Sequence, residues 1–166
     1  MEKHAIKILN AHRVMAISTI RPDGGPQTTI VGYANDGLLL YFMISRDSQK
    51  FANIQRDNRI SVAIGQEPKD LFELEALYAS ATASEVTAPE QRKLAWRLLT
   101  ERHPNLADFE LPVEGEVALM EANCEHLSVL DFQGGLGAGN APTGGQLDTA
   151  LTAVAIDKAA GGDTPI

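Results

Sequence analysis

The sequence predicts a mainly β fold of the α+β class, a barrel-like sheet of about six to seven antiparallel strands with two to three flanking helices. Short apolar and β-branched runs alternate with turn signals, and a few segments have helical periodicity instead. The chain has 166 residues, 44% of them hydrophobic, which is enough for one domain with a single core.

The strands are predicted from runs of apolar and β-branched residues that end at turns. Residues 22–25 (PDGG) and 35–37 (NDG) are strong turn signals, the second of the Asp-Gly hairpin type. The predicted strands are residues 14–20, 27–34, 38–44, 59–65, 74–86, 117–120 and 127–132.

The third predicted strand, residues 38–44 (LLLYFMI), is apolar on both faces. A strand with one solvated face alternates between apolar and polar residues. Both faces of this strand are therefore expected to be covered, one by the barrel interior and the other by a helix or a second subunit.

Three segments predict helices. The first repeats Ala5, Ile6, Leu9 and His12 at helical spacing. The second covers residues 48–55, with Ser48 as N-cap. The third opens with a capping box at residues 87–90 (TAPE) and runs to about Arg102. Its apolar stripe is Leu94, Ala95, Leu98 and Leu99.

Composition bounds the class of protein. The net charge of -8 disfavours nucleic acid as a partner, and the single cysteine, Cys124, excludes an intramolecular disulfide. No apolar run approaches the ~20 residues of a membrane span, and the N-terminus does not resemble a signal peptide. We expect a cytoplasmic protein with one domain over residues 1–138 and a flexible tail, rich in Gly, Ala and Thr, over residues 139–166.

One segment, residues 45–50 (SRDSQK), carries a chemical signal. Ser48 as N-cap places Lys50 in the first helical turn, where the helix dipole disfavours a cation by roughly 0.3–1 kcal/mol. A bound anion would reverse that sign, so Arg46, Ser48, Lys50 and the helix N–H groups together suggest a phosphate cradle. The alternative is two solvated cations beside Asp47.

The hydroxyls of Thr28 and Thr29, on the second predicted strand, could face the same place. Taken alone, these two residues are better explained by ordinary β-propensity than by a ligand.

Other motifs are weaker. Cys124 and His126 lack a second ligand pair, and His4, His12 and His103 share no ligand spacing, so no metal site is predicted. A buried cysteine beside a surface histidine is the simpler interpretation of the first pair. The glycines of residues 134–139 lack the βαβ context of a dinucleotide site.

The segments PDGGPQTTIV, GLLLYFMISRDSQKFANI and RDNRISVAI occur in that order. Together they resemble the FMN-binding split β-barrel of the pyridoxamine 5′-phosphate oxidase superfamily, including its small stress-protein branch. The likeness runs from about residue 12 to 65 and resumes in the fifth strand and at residues 130–135. Ser48-Gln49-Lys50 and Asn53-Ile54 are its most specific pieces.

This resemblance implies a split β-barrel homodimer with FMN at the subunit interface. It implies that the phosphate lies on Arg46, Ser48 and Lys50, and that Ile44 and Gln49 are also among the cofactor-binding residues. The ribityl chain and ring would lie against the second strand, at Thr28, Thr29, Ile30 and Val31.

Three departures limit what the resemblance implies. Ile44 stands where the family has a threonine, which removes a hydrogen bond to the cofactor. Glu75-Ala76 replaces the Arg-Gln pair of the true oxidase, and the chain has no Arg-x-His for the substrate. Oxidation of pyridoxamine phosphate is therefore not expected.

The first hypothesis is an FMN-dependent oxidoreductase of unknown substrate, with no catalytic acid or base identified. Alternatives are an F420-dependent reductase, a non-catalytic flavin-binding or sensing dimer, and a scaffold without cofactor. F420 would require more cations than Arg46 and Lys50 supply, whereas Ile44 and Ala76 favour the scaffold.

Overall fold

The computed structural model describes residues 2–112 and 115–131. The tail predicted for residues 139–166 and the glycines of residues 134–139 lie outside the described residues. No helix in the described ranges is long and apolar enough to cross a membrane. The helices are α1 (Glu2–Ala11), α2 (Gln49–Arg56) and α3 (Pro89–Arg102), and the strands are β1 (Val14–Ile20), β2 (Pro26–Asp36), β3 (Leu39–Ser45), β4 (Arg59–Gly65), β5 (Glu75–Glu85) and β6 (Val117–Asp131).

The six strands form a closed barrel in the order β1-β2-β3-β6-β5-β4, and every neighbouring pair is antiparallel. The ring closes where β1 pairs with β4. This confirms the predicted mainly β fold with flanking helices.

The main core fills the barrel interior. Met15, Ile17, Phe42 and Leu77 are fully buried there. The helix α1 packs on the same core beside β4, β5 and β6. Its buried residues are Ala5, Ile8 and Leu9, so the predicted stripe is shifted slightly: Ile8 is buried and Ile6 is only half-buried.

Both faces of β3 are covered, as predicted. Leu40 and Phe42 point into the barrel. Tyr41, on the opposite face, belongs to a second core beneath α3, with Ala95 and Leu99 of that helix. The chain therefore covers this strand with its own helix.

The predicted capping box at the start of α3 is wrong. The N-cap is Ala88, which makes no side-chain cap hydrogen bond, and Pro89 opens the helix. The backbone N–H of Val86 still donates to Leu119 O of β6, so Thr87 belongs to the connection. Because proline has no backbone N–H, the first helical residue leaves no donor that a capping side chain would have to accept.

The last two predicted strands are one continuous strand, β6. Ser80 pairs with His126 and Ala81 with Cys124, so Glu125 is an extra residue that bulges from the ladder. The bulge moves the inward-facing positions from even to odd numbers, and Val129 is buried after it as Cys124 is before it. That phase shift is why the alternation of the sequence suggested two strands.

Candidate functional site

The barrel wall is split between β2 and β3. Their pairing covers only the hairpin end, from Tyr33↔Phe42 to Asp36↔Leu39. The first part of β2, residues 26–32, continues along β1, whereas residues 43–45 of β3 continue along β6. The two strands therefore diverge, and each presents one edge that pairs with no other described strand.

The predicted ring-binding residues lie on the β2 edge of this split. Thr28 and Ile30 point outward, whereas Thr29 and Val31 point toward the barrel. Thr28 Oγ1 is 2.7 Å from Ser18 Oγ, and the hydroxyl of Thr29 is buried with no hydrogen-bond partner among the described residues. The expectation that both threonines face one place is wrong, because neighbouring side chains of a strand alternate.

The N-terminus of α2 follows directly after β3. Ser48 caps the helix as predicted: its Oγ accepts from Phe51 N at 3.1 Å and donates to Ser45 O at 2.6 Å. Other first-turn N–H groups have no intrahelical acceptor, which is the usual basis of anion binding at a helix start. Gln49 is committed to its own helix, since its amide donates to Asn53 Oδ1 at 2.9 Å.

Lys50 is half-buried in the first turn of α2. Burial lowers the pKa of its ammonium group below the usual value, because desolvation disfavours the charged form. It forms no ion pair with any other described residue. A nearby anion would favour the charged form and restore the pKa.

Arg46 is not a free cation. Its guanidinium donates to both carboxylate oxygens of Glu85, one of them at 3.2 Å, and lies 5.3 Å from the ring centroid of Phe51. The predicted phosphate role of Arg46 therefore requires either displacement of Glu85 or a ligand that joins the pair. Sequence reasoning missed Glu85 because it lies 39 residues away, at the end of β5.

A buried amide attaches α2 to the β2 edge. Asn53 Nδ2 donates to Thr19 Oγ1 and to Gln27 Oε1, both at 3.0 Å. Asn53 is 1% exposed, so these bonds are shielded from water. The sequence contained the signal, an asparagine beside the buried Ile54 of an amphipathic helix.

A cavity of about 210 Å³ opens at the split. Gly32 of β2 and Met43 of β3 line opposite sides, and His103 lies between the split and the end of α3. His103 Nε2 is 3.0 Å from Tyr33 O, and a Cβ on Gly32 would lie 3.1 Å from the imidazole. Sequence reasoning placed no function on His103, because its contact depends on the fold.

Ile44, which stands where the resembled family has a threonine, faces the barrel core and is 5% exposed. It lies on the β3 side of the split, one residue beyond Met43, and pairs with Ala118 of β6. Its side chain packs in the core and, being a hydrocarbon, can make no hydrogen bond.

One row of outward residues on the barrel is apolar. A row of outward residues crosses four paired strands in the order Ile30, Ala16, Ala63 and Tyr78. Ile30 is 67% exposed and Tyr78 is 43% exposed. We call these four residues the open row; it begins on the β2 edge of the split.

Residues 1–131 match the family model described as pyridoxamine 5′-phosphate oxidase. The chain belongs to this family. No curated protein matches it.

Solved structures share the fold at low identity. A heme binding protein from Mycobacterium smegmatis aligns with a TM-score of 0.73 and 17% identity over 86% of this chain and 57% of that one. This chain thus spans little more than half of that protein. HutZ, the heme storage protein from Vibrio cholerae, aligns at 0.65 and 18% over 76% and 92%. An FAD-binding protein from Mesorhizobium loti aligns at 0.62 and 19% over 78% and 93%.

Proposed function

We propose that the chain binds FMN at the split between β2 and β3, in a site completed by a second copy, and that it uses the flavin as an oxidoreductase. The observation that carries the proposal is Lys50, a half-buried cation at the N-terminus of a capped helix beside the split. Bound flavin would supply hydride or electron transfer.

The residues present fit a flavin phosphate. Lys50 supplies charge, Ser48 orders the helix start, and the first-turn N–H groups supply donors. The buried Thr29 hydroxyl, which lacks a partner among the described residues, is a polar group that a ribityl hydroxyl could satisfy.

The charge count favours FMN over F420. Arg46 is engaged by Glu85, so Lys50 is left as the cation of the predicted cradle. One ammonium and one helix N-terminus suit a single phosphate, whereas the longer anionic tail of F420 would require further cations.

The size of the cavity supports a shared site. Small-molecule sites enclose roughly 300–1,000 Å³, whereas the split cavity measures about 210 Å³ and is lined by none of the predicted cofactor-binding residues, so one copy alone does not enclose a flavin. The open row lies at the same edge and is apolar, so a second copy seated there would add walls to the site and remove Ile30 from water.

No acid or base at the split is assigned to the reaction, so the substrate stays open. The role of this chain's residues is to bind and orient the cofactor. A cytoplasmic location is part of the proposal, consistent with the single cysteine being a buried free thiol.

Heme is the second candidate, because two proteins with this fold are described as binding or storing heme. His103 is the imidazole that lines the split cavity. His103 would hold the heme iron in such a site, whereas a flavin site would depend on Lys50.

The test is a titration of the purified, cofactor-free protein with FMN, followed by quenching of flavin fluorescence. Lys50→Ala is expected to weaken binding by about 10- to 100-fold, since a hydrogen bond to a charged group contributes roughly 1.5–3 kcal/mol. Lys93→Ala is the matched control, because Lys93 is exposed and paired with Glu90 on α3. Its affinity should equal that of the wild type.

Equal affinity of Lys50→Ala and wild type would remove the phosphate assignment. Failure to bind FMN, together with a heme Soret band that His103→Ala abolishes, would favour the heme function. Turnover of reduced nicotinamide with an electron acceptor would separate an oxidoreductase from a flavin store or sensor.

A further inference from the structure

Three potential metal ligands meet where α1 packs against the ends of β5 and β6. His4 lies on α1, Glu75 is the first residue of β5 and Asp131 is the last residue of β6. His4 Nε2 is 2.7 Å from Glu75 Oε1, and one ligand atom from each residue lies within 4.8 Å of the other two. The three residues are far apart in the sequence, so only the fold brings them together.

The two carboxylates face each other directly. Glu75 and Asp131 are register partners in the β5–β6 ladder. All three side chains are half-buried, which reduces the solvent screening of a charge placed among them. A divalent cation held between the two carboxylates would be attracted to both.

The donors resemble those of a transition-metal site. One imidazole nitrogen and two carboxylate oxygens are ligands that Zn²⁺ accepts, and the imidazole disfavours Mg²⁺ and Ca²⁺, which take oxygen ligands. Three protein ligands leave a coordination position for water, and partial exposure, 31% for the His4 side chain and 26% for that of Glu75, gives access to it.

We propose that His4, Glu75 and Asp131 bind a divalent transition metal of the Zn²⁺ type. The ion links the first helix to the last described strand and holds α1 on the barrel end. This site is separate from the flavin site, because Glu75 and Glu85 are the two ends of β5 and Glu85 is the one that pairs with Arg46.

A simpler arrangement makes a different prediction. If His4 acts only as a charged partner of Glu75, metal has no effect, and replacing His4 changes stability equally with and without Zn²⁺. In a metal site, the same replacement removes the response to Zn²⁺.

The experiment uses the full chain, freed of its affinity tag and of metal by EDTA and dialysis. Zn²⁺ binding is measured by isothermal titration calorimetry, and Tm is measured with and without Zn²⁺, with Mg²⁺ as the comparison ion. The variants are Glu75→Gln, which keeps shape and removes charge, and His4→Gln. His126→Ala is the matched control, because His126 is an exposed histidine of β6 whose partner is Ser80.

We expect one Zn²⁺ per chain and a higher Tm with Zn²⁺ in the wild type and in His126→Ala, and loss of both in Glu75→Gln and His4→Gln. Circular dichroism verifies that the variants fold; if His4→Gln does not, Glu75→Gln decides. Absence of Zn²⁺ binding in the wild type, or binding that both variants retain, would overturn the site.

Discussion

Two outer faces of the same barrel differ in how they are covered. The outer face of β3 carries Tyr41, which is 1% exposed beneath Leu99 of α3. The open row on β2, β1, β4 and β5 leaves Ile30 67% exposed. Both faces carry apolar side chains, but only that of β3 receives a helix from its own chain.

The difference shows that an apolar pattern in a strand predicts that its face is covered but does not predict which helix, sheet or subunit covers it. On β3 the pattern is strong because both faces are covered within one chain. On the open row the apolar residues are Ile30 and Tyr78 with two alanines between them, a flat surface that suits another sheet better than a helix. Three substitutions test this contrast, with expected effects that decrease from Leu99→Ala through Ile30→Glu to Tyr78→Ser.

Leu99→Ala is expected to have the largest effect on folding. Leu99 is 1% exposed, and truncating a buried leucine costs about 2–5 kcal/mol through lost burial and the cavity left behind. The free energy of unfolding, measured by urea denaturation, reports this loss. A decrease of less than about 1 kcal/mol in the free energy of unfolding would mean that α3 does not pack tightly on β3.

Ile30→Glu tests the uncovered face. An exposed residue of the monomer contributes little to its folding, so we expect a change within about 0.5 kcal/mol in the free energy of unfolding of the monomer. If a second copy occupies the open row, the buried carboxylate abolishes the dimer. FMN binding then weakens although Lys50 is intact, both through loss of the second copy and through loss of the predicted ring contact of Ile30. Analytical ultracentrifugation measures the loss of the dimer, and flavin fluorescence measures the FMN affinity.

An unchanged sedimentation coefficient in Ile30→Glu would show that the open row is not the dimer interface. A monomeric variant with wild-type flavin affinity would show that the site is complete in one chain.

Tyr78→Ser sharpens the comparison at the far end of the row. Tyr78 is less exposed than Ile30 and lies three strands from the split. We expect weaker dimerisation than in the wild type, a smaller loss than for Ile30→Glu, and unchanged flavin affinity in samples concentrated enough to stay dimeric. A loss equal to that of Ile30→Glu would place the centre of the interface nearer β5.

The sequence predicted the strands and the helix cap because these depend on neighbouring residues. The bounds of β1 and β4 agree with the predicted runs, and Ser48 is the N-cap of α2. The helix start at Pro89 and the single strand β6 were missed, because the local pattern there is overridden by pairing of residues 86 and 117–131 with distant strands.

The cofactor site stays a prediction. Lys50 is a cation with no ion pair among the described residues, and Thr29 is a buried hydroxyl without a hydrogen-bond partner there, so both are available to the predicted ligand. The pairing of Arg46 with Glu85 and the position of His103 beside Tyr33 could not be predicted, since the contacting residues are 39 and 70 positions apart in the sequence. That a second copy of the chain shares the site stays a prediction.

The order of the strands has a consequence for synthesis. The last described strand, β6, lies between β3 and β5, so these two strands leave the ribosome with open edges before the strand that joins them emerges. Exposed strand edges are templates for pairing with other chains. The nascent chain is therefore most vulnerable to aggregation between emergence of β5 and emergence of β6, and a chaperone that shields this interval would raise the yield of folded protein.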